Sequence, residues 1–77
     1  MEITDFIKNF AEQFEDTDFS VFTSDTNFRE LEEWSSLMAL SIIAMVDEGY
    51  DVQLKADEMR KTNTIQELFD LVNKHLN

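Results

Sequence analysis

The chain has 77 residues, enough for one domain, and residues 1–77 are assigned to a single one. Seventeen acids against six Lys and Arg give a net charge of −11, a surface that repels phosphate backbones and anionic lipids and so argues against nucleic acid or a membrane surface as partner. The absence of cysteine rules out disulfides and a protein thiol as nucleophile or metal ligand, and a cytoplasmic location fits without strain.

The acidic start, Met1-Glu2-Ile3-Thr4-Asp5, lacks the basic region of a secretory signal. There is no Pro and Gly49 is the sole Gly, which disfavours hairpins and predicts an all-α chain. Ile3, Phe6, Ile7, Phe10, Ala11 and Phe14 follow the spacing of a helix with one buried face. From residue 15 to about 34 the periodicity fails. Turn and cap formers such as Asp16, Thr17, Asp18, Ser20 and Asn27 dominate this stretch, with Phe19, Val21, Phe22, Phe28, Leu31 and Trp34 among them. A connection this long in a small domain is functional or pinned down, and its aromatics predict that it is pinned over the helices.

Ser35 and Ser36 open a second helix, residues 37 to about 48, with Gly49 as its expected terminator and Tyr50 folding back on the last turn. Val52 and Leu54 point inward from a short extended link. A short third helix is predicted from residue 56 to about 61, with Met59 inward. Thr64-Ile65-Gln66-Glu67 is a capping box that opens the last helix, whose apolar side carries Ile65, Leu68, Phe69, Val72 and Leu76. The predicted fold is a helical bundle of three main helices plus one short helix, with a long first loop.

The second helix is the informative one. Residues 37–46 contain one polar side chain, Ser41, and fall well short of a membrane span. Ala39, Ile42, Ile43, Val46 and Tyr50 are spaced to meet the core. The opposite face runs through Leu37, Ser41, Ala44, Met45 and Glu48, with Met38 and Leu40 at its edges. A small bundle does not enclose such a helix on all sides, so part of that face is expected to stay exposed as a docking surface, for which Met is well suited. Asp47 and Glu48 lie at one end, and Glu30, Glu32 and Glu33 lie before the other. An apolar strip between acids fits partners with a basic rim.

Other chemistry scores poorly. A calcium loop starting at Asp16 has Val21 where Gly is required and Asn27 at the twelfth position, and one starting at Asp25 ends on Ser36. His75 is a lone, solvated histidine, which builds neither a metal site nor a triad. No metal and no catalysis by this chain are expected.

The segment Phe28-Arg29-Glu30-Leu31-Glu32-Glu33-Trp34-Ser35-Ser36-Leu37 resembles the acyl carrier protein signature, in which Asp-Ser-Leu opens the second helix. The resemblance extends through the first helix, the long loop, Glu48-Gly49-Tyr50-Asp51-Val52 and the Thr64-Ile65 start of the last helix. It implies an acyl-carrier-protein-like bundle bearing a covalent 4'-phosphopantetheine arm on Ser36, put there by a phosphopantetheinyl transferase. The arm ends in a thiol that carries an acyl or related group as a thioester to cargo-loading and acyl-processing enzymes with basic docking patches. The docking residues are Leu37, Met38, Leu40, Ser41, Ala44, Met45, Asp47 and Glu48. Ser35 is then the cap, with Ser35 as modified residue the alternative. Ser35 replaces the family's usual Asp, and Met38, Ser41 and Ala44 replace acidic or longer side chains, which implies a specialised biosynthetic pathway rather than housekeeping fatty acid synthesis. The alternatives are an unmodified adaptor that docks partner helices and an acidic inhibitor of a basic enzyme site.

Overall fold

A computed structural model describes residues 2–76. Four helices succeed one another: α1 (Ile3–Ala11), α2 (Ser36–Tyr50), α3 (Ala56–Arg60) and α4 (Ile65–Leu76). The described residues contain no β-strand, only one isolated antiparallel bridge between Asn27 and Thr64. The bundle is therefore the expected all-α arrangement of three longer helices and one short one.

The core is a chain of aromatic rings. Phe6 lies 5.6 Å from Phe69 and 5.7 Å from Tyr50, while Phe10 lies 5.6 Å from Phe28 and 5.4 Å from Phe14. Ile42 and Val46 of α2, and Ile65, Leu68 and Val72 of α4, close around them and are fully buried. Such pairs add about 0.5–1.5 kcal/mol each beyond area burial, a real share of the few kcal/mol that a bundle of this size commands.

Helix α1 ends at Ala11, earlier than its apolar stripe predicts. The chain then tightens: Gln13 N–H donates to Phe10 C=O at 3.2 Å and Phe14 N–H to Ala11 C=O at 3.0 Å. That tightened turn still delivers Phe14 to the core. Two short 3-10 turns, Phe19–Val21 and Phe28–Glu30, punctuate the long connection, each capped by the Asx side chain before it, Asp18 and Asn27 respectively. The connection is pinned only in part. Phe22 and Phe28 are buried and Leu31 and Trp34 pack on the core, but Phe19 and Val21 stand exposed.

The end of the connection is tied to α4 by backbone. Ile65 and Gln66 N–H groups, orphans of a helix start, donate to Thr26 C=O at 3.2 Å and Ser24 C=O at 2.9 Å. The expected capping box closes the same turn: Glu67 N–H donates to Thr64 Oγ1, and Glu67 Oε1 accepts from Thr64 and Asn63 N–H. Those two N–H donors hold the Glu67 carboxyl below its ordinary range.

Gly49 does not end α2. The helix continues to Tyr50, and Asp51 is the left-handed residue, with φ 56°, whose N–H returns to Asp47 C=O. Asp tolerates this conformation at modest cost. This extension is held from outside: the Tyr50 ring packs near Phe6, and Tyr50 OH accepts from Asn9 Nδ2 at 2.8 Å. Tyr50 thus belongs to the helix rather than folding back over it. At the other end of the chain Leu76, expected inward, is exposed at the last turn of α4. Met59, Val52 and Leu54 are inward as expected.

Gly49 has a right-handed conformation and open space where a Cβ would stand. Gly49→Ala is therefore expected to stabilise the protein by about 0.5–1 kcal/mol, through the lost backbone freedom of the unfolded chain, read as a higher thermal midpoint.

Candidate functional site at the start of α2

Trp34 sits at the end of the long connection with its ring 4.6 Å from Phe28 and 6.5 Å from Phe14. Its N–H donates to Leu31 C=O at 3.0 Å. With Trp34 fixed, the next residue turns into α2. Ser35 has extended backbone angles and its Oγ accepts the Met38 N–H at 3.1 Å, so Ser35 is the N-cap, as the sequence suggested.

Ser36 is the first residue of the helix and is exposed. Its hydroxyl makes no hydrogen bond to any other described residue, and the N–H groups of Ser36 and Leu37 have no protein acceptor among the described residues. A phosphodiester on Ser36 Oγ would meet those free donors and the positive end of the helix dipole, a contribution of about 0.3–1 kcal/mol at an exposed end. The residues present therefore fit an arm joined through phosphate. No histidine lies at this end, the described residues containing only His75, on α4.

The face of α2 expected to dock partners splits. Leu37 is 74% exposed and Leu40 59%, and Ala44, Asp47 and Glu48 are also exposed. Met38, Ser41 and Met45 are half-buried, and both methionines pack against the core. The open strip is thus Leu37, Leu40 and Ala44, leading to Asp47 and Glu48, and the long connection does not cover it. The opposite face meets the core through Ile42 and Val46, with Ile43 and Tyr50 partly buried. Glu33, read as part of the acidic approach, is instead engaged: its carboxylate accepts from Asp16 N–H at 3.0 Å and from Thr17 Oγ1.

Two grooves flank α2. The one between α1 and α2, about 410 Å³, runs past Asn9, Glu12, Met45 and Glu48. The one between α2 and α3, about 460 Å³, begins at Ser35 and Ser36 and is floored by Ala39, Ile43 and Met59. Sequence periodicity gave no sign of either groove, because each is made by the approach of two helices. His75, expected to be solvated, has Nε2 2.8 Å from Glu58 Oε2. That hydrogen bond, then the Lys55 N–H, holds the Glu58 carboxyl below its ordinary range. No group of three or more metal-ligating side chains occurs among the described residues.

The family model for a phosphopantetheine attachment site matches residues 4–72. The chain belongs to the phosphopantetheine-attachment family. Members of this family, acyl carrier proteins among them, are the site of covalent 4'-phosphopantetheine attachment and act as carriers for other enzymes. No curated protein and no solved structure gave a significant match.

The two serines separate by their structural roles. Ser35→Ala removes the cap and is expected to cost about 0.5–2 kcal/mol, a drop in thermal midpoint of roughly 4–8 °C per kcal/mol for a chain of this size. Ser36→Ala breaks no hydrogen bond within the protein and is expected to leave the midpoint within a few degrees, as surface substitutions do.

Proposed function

We propose that this chain is an acyl carrier protein whose arm is attached at Ser36 and which delivers a thioester-linked acyl or related group to partner enzymes. The observation that carries this reading is the bare hydroxyl of Ser36: exposed, unpaired, and at the mouth of a helix whose own cap is made by the neighbouring Ser35. A structural serine would be spending its hydroxyl on the backbone, as Ser35 does.

Attachment joins Ser36 Oγ to phosphorus and breaks the pyrophosphate bond of coenzyme A, with the adenosine bisphosphate leaving and the hydroxyl proton passing to a base. That base belongs to the phosphopantetheinyl transferase, since no described histidine or aspartate lies in the groove at Ser36. Leu37, Leu40 and Ala44, ending at Asp47 and Glu48, supply an apolar strip with an acidic end for partners that carry basic patches. Opposite charges speed the encounter, and the apolar strip supplies affinity without a permanent complex. A carrier that must leave each enzyme needs that balance.

Ser35 in place of Asp, and Met38, Ser41 and Ala44 in place of acidic or longer side chains, favour a specialised cytoplasmic pathway with its own loading enzyme. Monomeric behaviour suits a carrier that visits several enzymes.

The test is intact mass after incubation with coenzyme A and a promiscuous transferase. The reading expects a gain of one phosphopantetheine, lost in Ser36→Ala and kept in Ser35→Ala. A wild-type mass that stays unchanged would favour an unmodified adaptor that uses the same exposed leucines.

A further inference from the structure

Arg29 is the only Lys or Arg between Lys8 and Lys55. It is half-buried, and two backbone carbonyls fix its guanidinium: Nε donates to Thr62 C=O and Nη2 to Met59 C=O, both at 2.8 Å. No carboxylate among the described residues lies within ion-pairing distance of it, in a chain that carries seventeen acids. Its Nη1 edge has no protein acceptor there either. Arg29 lines the α2–α3 groove that begins at Ser36, and Arg60 lines the same groove, tied only to Asp57 by an exposed contact at 3.0 Å. Two of the six basic side chains of a −11 protein thus face one apolar trough.

A trough with an apolar floor and a fixed, unneutralised guanidinium at its wall selects for a ligand with an apolar body and an anionic end. Guanidinium is the group suited to that task, because its planar donors match a carboxylate and it is weakly hydrated. The volume is within the usual range for small-ligand sites. The occupant with the highest effective concentration is the group tethered to Ser36 itself.

Resting on the reading of Ser36 as the attachment site, we propose that Arg29, with Arg60 in support, is a specificity-determining residue that makes the α2–α3 groove selective for tethered acyl groups ending in a carboxylate over those ending in methyl. The apolar stem of the acyl group lies along Ala39, Ile43 and Met59, and its carboxylate meets the Nη1 edge of Arg29. The carbonyl bonds to Met59 and Thr62 hold that edge in place at the end of α3, so the guanidinium loses little freedom when the anion arrives.

The experiment uses the arm-bearing protein, verified by intact mass, loaded with two acyl thioesters of equal length, one ending in methyl and one in carboxylate. Hydrolysis of each thioester is followed at neutral pH, together with the NMR shifts of the Ala39, Ile43 and Met59 methyl groups. The carboxylate-ended thioester is expected to hydrolyse roughly threefold to tenfold more slowly than its methyl-ended counterpart, the range that a partly screened guanidinium–carboxylate pair supplies, and to shift those methyl groups more. Arg29→Gln should abolish the difference, Arg60→Gln should reduce it, and high salt should weaken it in the wild type. Because the ratio of the two thioesters is taken within each variant, a general loosening of α3 cancels. Should Arg29→Gln fail to fold, the Arg60→Gln and salt measurements decide. Equal hydrolysis of the two thioesters, or a difference indifferent to Arg29, Arg60 and salt, overturns the proposal and leaves Arg29 as a cap for α3. Absence of the arm in the mass measurement instead overturns the reading of Ser36, and the cargo preference with it.

Discussion

The pairing of Phe28 with Trp34, 4.6 Å between ring centres, sets the geometry on which the site depends. Twenty-four residues separate α1 from α2, a length at which a connection without anchors would wander. Phe28 is fully buried beside Phe10, and Trp34 lies across it and Phe14. The next two residues are therefore delivered to one place, where Ser35 caps the helix and Ser36 is left free. Truncating Phe28 would cost about 3–5 kcal/mol, comparable with the whole margin of a bundle this small.

That economy runs through the molecule. The long connection does double duty: Ser24 and Thr26 carbonyls satisfy the first N–H groups of α4, and the Arg29 side chain donates to Met59 C=O near the end of α3 and to Thr62 C=O just beyond it. With only 77 residues, nearly every apolar side chain is needed inside. Leu37 and Leu40 stand outside despite that demand, as do Phe19, Val21 and Leu76, and of these only the two α2 leucines lie on the strip proposed to meet partners. A net charge of −11 favours repulsion between copies of the chain over contact through those leucines.

Much of this was legible in the sequence because it is written in local rules. The Thr64–Glu67 capping box follows from residue types at fixed spacing, the paired serines at 35 and 36 mark the start of α2 without saying which of them caps it, and the core face of α2 follows from a 3.6-residue period. What was not legible depends on contacts between distant segments. Gly49 carried the local signal for a helix end, yet a hydrogen bond from Asn9 and a ring contact with Phe6 hold Tyr50 as part of the helix, and the left-handed residue is Asp51. Hydrophobicity alone did not say that Phe19, Val21 and Leu76 would stand outside while Phe14 and Phe22 went in. The methionines of α2 looked like docking residues, but Met38 and Met45 turn toward the core. Arg29 carried no motif of its own. Its place at the groove emerges only when residues 29, 59 and 62 are brought together.

The central claim is that residue 36, rather than its neighbour, bears the arm. Fragmentation mass spectrometry of the arm-bearing chain resolves the two serines directly. The account predicts the added mass on fragments that contain Ser36 and exclude Ser35; the arm on Ser35, or on neither, would contradict it.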